Sequence, residues 1–124
     1  MKLHNFRKLE IYQRSQTLAV NILLETKGKR PYKVFDQLVG SALSVPSNIA
    51  EGSVRGSQKE FIRFLNYSWG SLTELITQLE IILKSQLIDQ ELGNLLLTES
   101  LKIEQMLESF IRVQLNNMNF NSSR

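Results

Sequence analysis

The strongest constraint on the fold of this chain is a long apolar stripe in the third quarter of its sequence. Between Phe61 and Ile82, apolar residues and one serine recur in strict steps of four and three. This spacing puts them on one face of an α-helix, in the pattern of a coiled-coil seam. Such a helix is stable only when other helices cover the face, so the stripe predicts a helical bundle. Its members are Phe61, Leu65, Ser68, Leu72, Leu75, Leu79 and Ile82.

A capping box marks the start of this helix. Ser57 stands three residues before Glu60, just ahead of the apolar stripe. In such a box the serine oxygen accepts a hydrogen bond from the backbone of the third helical residue, and the glutamate reaches back. We therefore assign Ser57 and Glu60 a structural role.

Three more segments carry a helical period. The first runs from about Leu9 to Lys27, the second from about Lys33 to Glu51, and the fourth begins after Asp89, a good N-cap. The links between them are short and hold glycine, proline or charged residues. No segment has the alternation of a strand.

Four helices with short links predict an all-α fold, specifically an antiparallel up-down-up-down four-helix bundle. We expect one domain over residues 1–124, with an ordered core at about 6–116. The tail, 117–124, is rich in asparagine and serine, and we expect it to be flexible.

The second helix holds a proline and several polar residues. Pro46 lacks a backbone donor and crowds the carbonyl of Ala42, so we expect a kink there, followed by a C-terminal cap at Gly52. Asn48 and Glu51 allow two interpretations. They form a contact surface for a partner, or they bond to the kinked backbone or to an arginine.

The composition excludes several kinds of site. The chain has no cysteine, and its single histidine is His4, ahead of the first helix. A disulfide framework, a di-iron site built on Glu-x-x-His pairs and a Ser-His-Asp triad are therefore excluded. We expect no enzymatic activity, no cofactor and no metal. No apolar run approaches membrane length, so we expect a cytoplasmic protein without membrane contact.

Positive charge is concentrated in the first half of the chain. Residues 1–63 hold eleven Lys/Arg and five Asp/Glu, whereas residues 64–124 hold four and seven. In an up-down bundle, several of these cations meet at one end, where they can contact RNA or DNA phosphates. The alternative is that arginines there pair with Glu10, Glu51 or Glu60 and only fix the helix ends. The candidate nucleic-acid-binding residues are Arg7, Lys8, Arg14, Arg55, Lys59 and Arg63.

The helices also carry more apolar residues than one seam needs. Val20 and Leu24 on the first helix and Val39 and Leu43 on the second lie away from the seams. Such residues indicate burial against other subunits, or else a broad core stripe. On the fourth helix, the candidate oligomer contacts are Leu97, Leu101, Ile111 and Leu115.

Several motifs together resemble one family of four-helix bundles, the proteins encoded in intervening sequences of bacterial 23S ribosomal RNA genes. The resemblance covers residues 6 to about 115. It rests on Phe6-Arg7-Lys8-Leu9, Ser44 to Gly52, Arg55-Gly56-Ser57, Lys59-Glu60-Phe61, Phe64-Leu65-Asn66, Gly70-Ser71-Leu72, Glu74-Leu75 and Thr77-Gln78-Leu79.

The resemblance implies a homopentamer with a central channel. Related proteins include the accessory variability proteins of diversity-generating retroelements, which bind nucleic acid and a reverse transcriptase. The family has no established enzymatic activity. By resemblance, we therefore expect an oligomer that binds RNA or DNA and acts beside a reverse transcriptase. The alternative is a protein-protein interaction scaffold with no nucleic-acid role.

Overall fold

The computed structural model describes residues 5–122, with side chains through residue 119. A short 3-10 turn, Phe6–Lys8, precedes four helices: α1 (Glu10–Glu25), α2 (Tyr32–Ser53), α3 (Gln58–Lys84) and α4 (Gln90–Ser122). No strand occurs within the described residues. The predicted all-α four-helix fold is confirmed, and His4 lies outside the described residues.

The predicted apolar stripe forms the centre of the core. All seven of its members, from Phe61 to Ile82, are fully buried. Ser68 is the one polar member, and its hydroxyl donates to the Val45 carbonyl of α2 at 2.6 Å. The other helices contribute buried side chains to the same cluster, including Ile22, Leu38, Val45, Ile49, Ile103 and Leu107.

Cross-helix contacts set the direction of neighbouring helices. Ser41 bonds to Glu74 and Val45 to Ser68, so residue numbers fall along α2 as they rise along α3. At the other side of α3, Gln58 bonds to Gln114 and Leu83 lies against Gly93. Both pairs of helices are therefore antiparallel.

The beginnings of the last two helices follow from their caps. The Glu60 backbone N–H donates to Ser57 Oγ at 3.1 Å, which is the first half of the predicted capping box. The Glu60 carboxylate bonds to Arg63 and does not reach back. At α4, the Leu92 N–H donates to the Asp89 carboxylate at 3.0 Å, as expected of an N-cap.

The role predicted for Gly52 as a C-terminal cap is wrong. Helix α2 continues through Gly52 to Ser53, and the glycine with positive φ in the link after α2 is Gly56, at 89°. Gly52 is buried, and a Cβ there would lie 2.6 Å from Phe64 Cβ and 3.2 Å from the Phe61 carbonyl oxygen. A glycine is needed because α2 and α3 approach each other closely at this point.

Pro46 lies inside α2, which continues across it. The Asn48 side-chain amide donates to the Ser44 carbonyl at 2.9 Å and to Ser44 Oγ at 3.0 Å. Asn48 therefore bonds within its own helix, to Ser44 and not to the Ala42 carbonyl that proline leaves without its helical donor. A bend of the α2 axis at Pro46 stays a prediction.

Helix α4 is longer than the sequence indicated. It continues to Ser122, past the predicted limit of the ordered core at about 116. The flexibility expected of residues 117–124 stays a prediction, and residues 123 and 124 lie outside the described part of the chain.

The close approach at Gly52 gives a stability prediction. We expect G52A to lower the free energy of unfolding by about 1–3 kcal/mol, because the new methyl group meets Phe64 Cβ and backbone and not the end of a flexible side chain.

The control is G70A, in α3, where nothing lies within 4 Å of the added methyl group. It should stabilise the helix by up to about 1 kcal/mol. Urea unfolding measures both changes. A G52A protein as stable as the wild type would contradict the close approach.

Candidate functional site

Five of the six predicted nucleic-acid-binding residues lie at one end of the bundle, which we call the basic end. Arg55 follows the last turn of α2, and Lys59 and Arg63 lie in the first turns of α3. Arg7 and Lys8 lie in the 3-10 turn before α1, which packs on α1 and α2. The basic end is therefore made by three chain segments.

Two arginines of the basic end are engaged by carboxylates. Arg63 donates from Nε and Nη2 to both oxygens of Glu60, at 2.6 and 2.8 Å. Arg55 makes a short ion pair with Glu51 one helical turn away. Both guanidinium groups also lie over the Phe64 ring, with Arg55 at 4.7 Å and Arg63 at 4.9 Å from its centroid. This is the arrangement of the alternative interpretation, in which arginines fix the helix ends.

Ionisation at this pair is shifted in the expected directions. The hydrogen bonds from Arg63 lower the pKa of Glu60, and the positive charges of Arg63, Arg55 and Lys59 act in the same direction. Hydrogen bonds with Glu60 and the Tyr67 hydroxyl raise the pKa of Arg63. Both groups are therefore charged at neutral pH. Because their charges are opposite and in contact, the pair adds little net positive charge to the basic end.

Arg14 does not belong to the basic end. Its Nε lies 3.4 Å from the Glu99 carboxylate, and its Nη1 donates to the Met106 sulfur at 3.2 Å. A longer contact of 4.0 Å joins it to Glu10. Arg14 therefore connects α1 to the middle of α4, and its predicted contact with nucleic acid stays a prediction.

Three cations of the basic end have no ion pair within residues 5–122: Arg7, Lys8 and Lys59. The Arg7 guanidinium lies over the Phe6 ring at 4.7 Å, a contact that leaves its charge uncompensated. Lys59 lies beside the exposed backbone amides of the first turn of α3, which favour anions. These three side chains are available to an anionic partner.

The predicted oligomer contacts on α4 do not form one surface. Ile111 is only 9% exposed and belongs to the core of its own chain, and Leu97 is partly buried against that core. For these residues the broad core stripe is the correct interpretation. Leu101 and Leu115 are exposed, about 21 Å apart along the helix at 1.5 Å per residue.

A continuous apolar surface lies instead between α1 and α2. We define the α1–α2 groove by Tyr12, Val20, Leu23, Leu43 and Pro46, which line a cavity of about 430 Å³. Val20, Leu23 and Leu43 are each nearly half exposed. Val20 and Leu43 were among the residues that the sequence placed away from the seams.

The apolar surface continues past Leu23 toward the α1–α2 link. A second cavity of about 410 Å³ lies there, lined by Leu23, Leu24, Tyr32 and Val39 among others. Leu24 and Tyr32 are 65% and 54% exposed. Lys27 and Lys29 lie at its edge. The exposed apolar side chains therefore follow most of the length of α1.

A metal-binding cluster and a membrane-spanning helix are both absent from the described part of the chain. Residues 5–122 hold no group of three or more His, Cys, Asp or Glu side chains that could bind a metal ion. Among the same residues, each helix is too short or too polar to cross a bilayer.

The fold and these surfaces define a class: an all-α four-helix bundle with a basic end and an exposed apolar groove. Comparison with known proteins assigns the family. The family model described as 23S rRNA-intervening sequence protein matches residues 7–109. The chain therefore belongs to the 23S rRNA-intervening sequence protein family, as the sequence motifs indicated.

A solved structure shows the same fold. It is a protein of unknown function from the S23 ribosomal protein family of Bacteroides thetaiotaomicron VPI-5482, and it aligns with a TM-score of 0.76. The alignment covers 82% of this chain and 97% of that chain at 24% identity. No protein of curated function matches this chain.

The Arg63–Glu60 pair gives a prediction about ionisation. In R63Q we expect the pKa of Glu60 to rise toward its ordinary value, because the hydrogen bonds that lower it are removed. The stability that this carboxylate contributes is present above its ordinary pKa and is lost as pH falls through the lowered pKa. A carbon-detected NMR titration of the Glu60 carboxyl measures the shift.

The control for this titration is R112Q, which breaks a separate ion pair with Glu108. It should leave the pKa of Glu60 unchanged. An R63Q protein with the wild-type pKa at Glu60 would show that the pair does not form in solution.

Proposed function

We propose that this chain is a non-enzymatic interaction bundle of the cytoplasm that assembles with further copies of itself through the α1–α2 groove. The observation that supports the proposal most is the continuity of exposed apolar side chains along α1. Val20, Leu23, Leu24, Tyr32 and Leu43 are each 47–65% exposed, and they lie along one face. Contiguous apolar surface on a small chain is typical of an interface.

The number of copies follows from the family resemblance, which implies five. Assembly through one large apolar face suits an obligate interface, because such interfaces resemble a core divided between subunits. Arg7 at the edge of the groove, and Lys27 and Lys29 at the edge of the second cavity, restrict which surfaces fit against this side of the bundle.

Assembly is tested by size-exclusion chromatography with light scattering. We expect the wild type to have a mass several times the 14.3 kDa of one chain. The L23Q/L43Q variant should elute as a monomer, because two buried polar amides without partners oppose the contact.

The matched control is L95Q, since Leu95 is 64% exposed and lies outside the groove. It should assemble like the wild type. A monomeric wild type, or an L23Q/L43Q variant with wild-type mass, would contradict assembly through this groove.

A second candidate function, nucleic-acid binding, is supported by the three cations without ion pairs. Arg7, Lys8 and Lys59 lie at one end of the bundle and make no ion pair within residues 5–122. In an oligomer each copy repeats this set, and the contacts to phosphate add. A reverse transcriptase as protein partner is a further proposal that rests on the family resemblance alone.

Nucleic-acid binding is tested by two charge-reversal variants that have the same net charge. We expect K8E/K59E to weaken retention of RNA or DNA and to reduce the slope of log K against log salt by about 1 per lost phosphate contact. K84E/K102E changes the net charge equally on exposed sites away from the basic end and should bind like the wild type. Equal loss in both variants, or a wild type that binds no nucleic acid, would exclude this role for the basic end.

A further inference from the structure

Helix α4 extends past the end of its own bundle. A bond between Gln114 and Gln58, the first residue of α3, joins the two helices near this end. On the other side, Val113 lies level with Glu10 and Ile11 at the start of α1. Residues 115–122 therefore project beyond these helix ends, by about 12 Å at 1.5 Å per residue. We call this segment the α4 extension.

The chemistry of the α4 extension is unlike that of a solvated helix end. From Val113 to Ser122 the sequence has no charged residue. Leu115 is 38% exposed and Met118 is partly buried. They are three residues apart, so they share one face of the helix, and Ile111 continues this face into the core of the chain. Methionine adapts its shape to an irregular groove.

The α1–α2 groove matches the α4 extension in chemistry. Among the residues that line the groove, Arg7 is the one with a charge, and none is acidic. An uncharged helix that enters this groove removes no charge of its own from water. The C-terminal end of a helix is partly negative, and Arg7 at the edge of the groove complements it. This is the helix-in-groove mode of recognition.

The α4 extension cannot reach the groove of its own chain. It continues α4 in the direction away from the bundle, whereas the groove lies along the side of the same bundle, between α1 and α2. Any groove that it enters belongs to another molecule.

We infer that the α4 extension of one copy docks into the α1–α2 groove of the next copy. The inference rests on the proposed self-assembly and names the two surfaces that meet in it. The extension and the groove are different surfaces, so the contact is heterologous. Such a contact forms a closed ring when the rotation that relates one copy to the next is a whole-number fraction of 360°.

A mixing experiment tests the docking. The groove variant is L23Q/L43Q, and the extension variant is L115Q/M118Q. We expect each alone to be monomeric by light scattering. Mixed in equal amounts they should form a dimer of one chain of each, because one intact groove then meets one intact extension. Circular dichroism confirms that both variants remain helical, and L115A/M118A replaces the extension variant if it does not fold.

The control is N116A/N117A, on exposed positions of the extension, which should assemble like the wild type. An extension variant with wild-type mass would overturn the docking while leaving assembly through the groove intact. A mixture that stays monomeric would overturn it too, because an intact groove would then have met an intact extension without binding it. A monomeric wild type would overturn the proposed function itself.

Discussion

Burial of the α3 stripe is the interaction on which the rest of this structure depends. Its seven members are fully buried, and they contact α2 on one side and α4 on the other. With α3 in the centre, the caps at Ser57 and Asp89 fix where the last two helices begin. The close approach of Gly52 to Phe64 then fixes the end of α2 against the start of α3, which brings the basic residues together.

The less covered side of the bundle is where function is proposed. Helix α1 has its main contact with α2 and a smaller one with α4, and Arg14 joins it to Glu99 across that second contact. Because α1 is covered on its inner face alone, Val20, Leu23 and Leu24 remain outside. A single chain gains nothing from exposed leucines, whereas an assembly buries them.

Periodicity and caps were sufficient to predict the helices. The bounds of α2 and α3 differ from the predicted ones by no more than two residues, because proline, glycine and serine mark the ends of these helices. The sequence could not decide the role of Gly52, since a cap and a close approach both need glycine. The deciding atom, Phe64 Cβ, belongs to another helix.

The candidate surfaces were harder to predict than the fold. Arginine three or four residues from glutamate allows either an ion pair or a free cation, and the structure pairs Arg55 and Arg63 while leaving Lys59 unpaired. The apolar stripe of a helix has no sharp edge in sequence. Ile111, a predicted oligomer contact, therefore lies in the core, whereas Leu23 lies on the surface.

Solvent access at Leu23 tests the central claim most directly. The chain has no cysteine, so L23C carries a single thiol whose rate of reaction with a maleimide can be followed over a range of protein concentrations. If copies assemble through the α1–α2 groove, the thiol reacts slowly in concentrated protein and faster on dilution, whereas L95C reacts at one rate throughout. An L23C thiol that reacts as fast as the L95C thiol at every concentration would contradict the account.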